Sequence, residues 1–142
     1  MKNQEGIQLA EFPLEELEVF EHILFHDTPI LSHVQDVYKT NYLAYWIDDD
    51  DAAYRWLMFR VEPIDLEAYL DGKIPFRNPV MSPKNDFVFF TDMNKGEYTN
   101  NIMVKPANLI PDYIPEEESF YKSGIDEKYT EFFKQTLSPV SV

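Results

Sequence analysis

The chain has no cysteine among its 142 residues. A disulfide framework, a thiolate metal site and cysteine nucleophile chemistry are excluded together, and stability must come from packing. Glycine is scarce: Gly6, Gly72, Gly96 and Gly124 stand far apart, so no glycine-rich loop is available to cradle a phosphate. There is no Gly-x-Ser-x-Gly elbow, no Asn-x-Ser/Thr sequon, no internal repeat and no glycine-serine linker. Long hydrophobic runs are also missing, since nothing approaches the about twenty apolar residues that span a bilayer. Met1 to Gln8 lacks the basic-then-apolar layout of a signal peptide. The expectation is a soluble, cytoplasmic protein with no membrane association and no cofactor.

Positive charge is the remaining shortage. Twelve Lys and Arg face 26 Asp and Glu, a net charge of −14. The imbalance is uneven: residues 1–71 hold 16 acids and 4 bases, residues 72–142 hold 10 and 8. Such a field repels nucleic acid and anionic membrane and steers a basic partner toward the first half. It also keeps an aromatic-rich chain in solution.

What is present in quantity is apolar and aromatic material, 44% and 15% of the residues, enough for a packed interior. The length suits one domain over residues 1–142, with disorder expected in the polar stretch 1–12. Leu17 to Val37 reads as a β-hairpin: Leu17 to Phe25, a turn at Asp27-Thr28-Pro29, then Ile30 to Val34. Leu14, Leu17, Phe20 and Leu24 also have helical spacing, but the β-branched and aromatic content and the abrupt turn favour strand. Asn41 to Ile47 and Tyr54 to Val61 form the clearest hairpin, apolar on both faces and therefore central in a sheet.

After Pro63 a short helix through Leu66 to Leu70 is stopped by Gly72, and Pro75 to Pro83 continues as an extended connector. Phe87 to Thr91 and Tyr98 to Val104 are two further strands about an Asn94-Lys95-Gly96 turn. A proline-punctuated segment from Asn108 to Pro115 crosses the surface. A closing helix, Asp126 to Leu137, carries Tyr129, Phe132, Phe133 and Leu137 on one stripe. The fold class is α+β: a twisted antiparallel sheet of about six strands, a meander of hairpins, with one short and one C-terminal helix. The expected core is Val19, Ile23, Leu43, Ile47, Leu57, Phe59, Leu70, Val88, Phe90, Val104 and Phe132.

Leu17-Glu-Val-Phe-Glu, His26-Asp27-x-Pro29, Leu43-Ala-Tyr-Trp-Ile-Asp48, Trp56-Leu57 and Gly72-Lys-Ile74 together resemble a small bacterial domain family of unknown function over about residues 17–90. The resemblance implies the fold and carries no activity or catalytic residues with it.

Two constellations invite a chemical reading. His22, His26 and His33 all fall in the first hairpin. A register placing Leu24 opposite His33 would set the three on one face as metal ligands, and a shift by one residue would send His33 to the other face. Asp48 to Asp51 lack the alternate spacing and glycine of a calcium loop and read as a solvated hairpin tip, or as a surface for a basic partner.

Beside that tip Tyr42, Tyr45, Trp46, Tyr54 and Trp56 converge, the residue types of interfaces. Three functions follow. The first is a non-catalytic acidic module that binds a protein with a basic or mixed surface, in an accessory, immunity or antitoxin-like role. The second is a nucleic-acid mimic whose carboxylates occupy a DNA-binding or nuclease protein's groove. The third is a metal-dependent enzyme built on the histidines.

Overall fold

Asp27 alone closes the first hairpin. With φ at 59° it turns the chain between β2 (Glu18–His26) and β3 (Thr28–Gln35), tighter than the three-residue turn expected, and Pro29 sits inside β3 opposite Phe25. The structure, a computed structural model, describes residues 1–137. Its strands form a seven-stranded sheet in the order β1-β7-β6-β5-β4-β3-β2, with every pairing antiparallel. From β2 to β7 the sheet is a meander through β4 (Asn41–Asp49), β5 (Tyr54–Arg60), β6 (Val88–Asn94) and β7 (Glu97–Val104). The α+β class of the sequence reading holds. The strand beyond the six expected is β1 (Ile7–Gln8), which pairs with Met103 and Ile102 of β7.

That strand falls within residues 1–12, the polar stretch for which the sequence suggested disorder. The Gln4 side chain is buried, donates to the Asn108 carbonyl and accepts from the Ile110 amide. The Leu9 amide donates to the Asn101 carbonyl. Hydrogen bonds to distant parts of the chain, invisible in a polar octapeptide, hold the segment down. Because β1 and β2 lie at opposite edges, residues 9–17 must cross one whole face of the sheet. Phe12, Leu14 and Leu17 pack there as a strap on Val34, Ala44 and Met58.

The other face carries the main core. Leu31, Leu43, Leu57, Phe59, Val88, Phe90, Ile102 and Val104 stand on it, each almost wholly buried and each contributing about 1.5–3 kcal/mol by leaving water. Three helices cover it. In α1 (Pro63–Leu70) Leu66, Tyr69 and Leu70 point inward. Gly72, at φ 75°, ends α1 as the sequence indicated, its amide bonding the Tyr69 carbonyl and that of Lys73 the Ala68 carbonyl. The connector after it is not extended throughout: Arg77–Val80 makes the short helix α2, burying Pro79 and Val80.

In α3 (Glu127–Leu137) Tyr129, Phe132 and Phe133 are buried, and Asp126 caps the first turn by accepting the Tyr129 amide at 2.9 Å. Between α2 and α3 two 3-10 turns, Pro106–Asn108 and Pro111–Tyr113, lower Leu109 and Tyr113 into the core. The segment read as a surface crossing is therefore part of the seal. Val19 departs from the expected core: it pairs with Val34 on the strap face at the sheet edge and is 54% exposed. No helix among the described residues is long and apolar enough to cross a membrane.

Candidate partner-binding site

The sheet's alternation sorts the aromatic residues singled out in the sequence. Tyr42, Trp46, Trp56 and Tyr54 occupy the strap face, whereas Tyr45 faces the helices and packs on Phe76 with ring centroids 5.0 Å apart. Even the strap-face residues divide. Trp46 lies opposite Trp56 in register and edge-on to Tyr54, while Tyr42 stands at the far end of β4, opposite Arg60. The strap runs between, with Phe12 stacked on Tyr98 at 4.7 Å. The face away from the helices is thus roofed by the chain's own residues 9–17, and two aromatic ends emerge from beneath it.

The tip Asp48 to Asp51 is likewise divided by its hydrogen bonds. Asp48 turns inward, accepting from the Tyr113 hydroxyl at 2.7 Å and from the Lys2 and Asp49 amides. Burial lifts its carboxyl, but those three donors together hold it below the usual carboxylate range. Asp50 turns back on the loop and accepts the Ala52 and Ala53 amides, which hold its carboxyl low. Asp49 and Asp51 remain at the surface facing solvent.

The opposite end of the strap face holds a recess of about 370 Å³ lined by Pro13, Leu14, Glu15, Glu16, Asp36, Val37, Tyr38 and Tyr42. Tyr38 is 86% exposed and Val37 is exposed beside it, both on the turn that joins β3 to β4. Asp36 shapes that turn by accepting the Tyr38 and Thr40 amides, each at 2.9 Å. Burial raises the Tyr42 hydroxyl's pKa and the Asp36 carboxylate adds to it, so this phenol stays protonated. Glu16 holds φ at 51°, the left-handed region a non-glycine residue adopts only under constraint. Three carboxylates, two tyrosines and two aliphatic side chains thus share one concave surface. Sequence reasoning found Tyr42 but missed Tyr38, Asp36, Glu15 and Glu16, because the strap and the β3–β4 turn meet only after the strap has crossed the sheet.

The histidines do not assemble. Ser32, not His33, lies opposite His22, and the His22 ring contacts the Ser32 hydroxyl at 2.7 Å on the strap face. His33 lies opposite Glu21 on the core face and is fully buried, and His26 is exposed at the hairpin end. Irregular pairing along β2 sets this register, the outcome that breaks a three-histidine site. Among the described residues no three His, Cys, Asp or Glu side chains are grouped to hold a metal. His33 instead donates from Nε2 to the Asn41 side-chain oxygen at 2.8 Å and accepts the Tyr129 hydroxyl at Nδ1 at 3.0 Å. Burial pushes its pKa down to about 4, with the Lys128 charge adding to the effect and the Asn41 hydrogen bond opposing it.

A buried polar network between β5, β6 and the second 3-10 turn was also invisible in the sequence. The Arg55 guanidinium makes a two-point pair with Asp92 and donates to the Tyr113 hydroxyl and the Lys2 carbonyl. The Asp92 hydrogen bonds are the main reason the guanidinium pKa rises further. Tyr113 in turn is pushed up to about 12, by burial first and by its bond to Asp48 next. The network ties the N-terminal segment, the acidic tip and the 111–113 turn to the sheet. It has a structural task, every member being partnered within the protein.

Fold and surface define a single-sheet α+β domain with a self-roofed face and an acidic, tyrosine-rich recess at one end of it. The chain belongs to a family of unknown function, DUF6575, whose model matches residues 9–126. The match takes in the motifs of residues 17–90 and adds the strap, β6, β7 and the sealing segment. No curated protein and no solved structure matches the chain.

Proposed function

We propose that this protein is a non-catalytic interaction module that captures a basic segment of a protein partner on the strap face, with a lysine or arginine side chain seated in the Tyr38–Tyr42 recess. The observation that carries the reading is the recess itself: Tyr38 and Tyr42 supply faces for a cation, Leu14 and Val37 flank its aliphatic stem, and Glu15, Glu16 and Asp36 supply the opposite charge. The excess of 26 acids over 12 bases steers such a partner in before contact.

Mimicry of nucleic acid gains less support. It needs a row of free carboxylates, and two of the four tip aspartates are spent on internal hydrogen bonds. An accessory, immunity or antitoxin-like role fits a module of this kind and names the sort of partner to seek.

The test is capture of interacting proteins at low salt by the wild type, by Tyr38→Ala and by Glu15→Gln/Glu16→Gln, followed by titration of the recovered partner. Tyr38→Ala is expected to weaken binding about 10-fold or more, the loss of a typical interfacial tyrosine. The double charge variant is expected to weaken it several-fold at low salt and much less at high salt. A partner that binds all three proteins equally would remove the recess from the interface.

A further inference from the structure

On the helix side of the sheet a cleft of about 340 Å³ lies between the strands and residues 119–123, lined among others by Leu24, Leu31, Tyr45, Tyr69, Phe76 and Tyr121. It is well apart from the strap-face recess, on the opposite side of the sheet. Its size is that of the smaller ligand sites of proteins, which run from about 300 Å³ upward. The walls are aromatic and aliphatic: Tyr69 packs on Phe76 and on Tyr121 with centroids 5.6 Å apart in each case, and Tyr45 on Phe76.

The decisive group is Tyr69. Its side chain is only 3% exposed, and its hydroxyl takes part in none of the hydrogen bonds among the described residues. Among the described residues no buried side-chain oxygen or nitrogen lacks a partner. The small exposure that Tyr69 retains therefore includes the hydroxyl, and Tyr69 is one of the residues that line the cleft. A hydroxyl so placed, at the end of an otherwise buried ring, offers one hydrogen bond to whatever enters. The phenol stays neutral, since burial raises its pKa well above the ordinary value.

We infer that this cleft binds a small, uncharged, largely aromatic or aliphatic molecule carrying a carbonyl oxygen, with the oxygen accepting from the Tyr69 hydroxyl and the apolar body lying against Tyr45, Phe76 and Leu24. Neutral chemistry follows from the walls. The charged lining residue is Lys122, on the exposed rim, and no carboxylate stands in the cleft to hold a cation. The overall charge of −14 works against an anion. A carbonyl satisfies the hydroxyl without bringing a charge into an apolar recess, where it would be costly.

The test is a titration with benzamide, followed by two-dimensional NMR, with toluene and benzoate as companion probes and Tyr69→Phe and Ser123→Trp as variants. Benzamide is expected to bind with millimolar affinity, shifting resonances of residues 69, 76 and 119–123, and more tightly than benzoate. Tyr69→Phe is expected to weaken benzamide about 3- to 10-fold, the worth of one hydrogen bond, and to leave toluene unchanged. Ser123→Trp, which fills the rim from an exposed position, is expected to exclude all probes while the rest of the spectrum stays native. Absence of shifts at these residues with any probe would overturn the inference. So would equal affinity of benzamide for the wild type and a natively folded Tyr69→Phe, because that hydroxyl would then recognise nothing.

Discussion

Arg55 and Asp92 stand opposite each other on β5 and β6 and meet at two points, Nε to Oδ1 at 2.8 Å and Nη2 to Oδ2 at 3.0 Å, both side chains almost wholly buried. Asp92 also accepts from the Asn100 side chain, and Arg55 reaches the Lys2 carbonyl. The pair is thus the point at which the N-terminal segment is fastened to the middle of the sheet. A pair so buried gains little over an apolar substitute of the same shape, yet removing one member strands the other charge.

Asp92→Ala should therefore cost about 3–5 kcal/mol in urea unfolding, as expected for a buried guanidinium left without its partner. The double variant Arg55→Leu/Asp92→Leu should be more stable than Asp92→Ala. Additive losses would show that the ion pair is not the unit.

His33 predicts a pH dependence of definite sign. Its folded pKa of about 4 lies below the ordinary 6.5, so the unfolded chain takes up a proton that the folded chain refuses. Its contribution is complete above pH 6.5 and is lost as the pH falls toward 4, amounting to about 3 kcal/mol over that window. Stability measured against pH for the wild type and His33→Gln should show the wild type declining more steeply between pH 6.5 and 4. Parallel curves would show that His33 titrates alike in both states.

Gly6 is required by close approach rather than by its dihedral angles. A β-carbon there would lie 2.7 Å from the Met103 carbonyl oxygen and 2.7 Å from a Val104 methyl, and the carbonyl belongs to the β7 backbone, which cannot yield. Gly6→Ala should detach β1 from β7, which hydrogen exchange reads as lost protection at Ile7 and Leu9 with β3–β6 unchanged. Retained protection would show that the edge adapts.

The strap is held on the sheet by three apolar side chains of which none is fully buried, and its middle hangs on Phe12 stacked against Tyr98. Phe12→Ala should cost about 1–3 kcal/mol, less than a core phenylalanine, and speed amide exchange across residues 9–17 before the rest of the sheet opens. Uniform acceleration throughout the chain would instead make the strap part of the cooperative core.

The strand periods of Asn41 to Ile47 and Tyr54 to Val61, a turn at Asn94-Lys95-Gly96 and the stop at Gly72 are local matters. Pleat alternation, positive φ and the end of a helix each depend on a few neighbouring residues, so these features were legible in the sequence. In the structure Asn94 ends β6 opposite Glu97, so Lys95 and Gly96, both with positive φ, make the turn that joins β6 to β7. The acidity of the first half was also legible, because charge needs no fold.

Three things were settled only when the chain closed on itself. Irregular pairing along β2, a property of two strands together, sent His33 inward and parted it from His22. The Gln4 bonds to residues more than a hundred positions away gave order to a segment that is polar and featureless by itself. The crossing of the strap from one sheet edge to the other brought Glu15 and Glu16 beside Tyr38 and covered the face away from the helices. Sequence determined which side chains each strand presents to either side. Tertiary structure decided what meets them, since that depends on contacts between residues far apart in the chain.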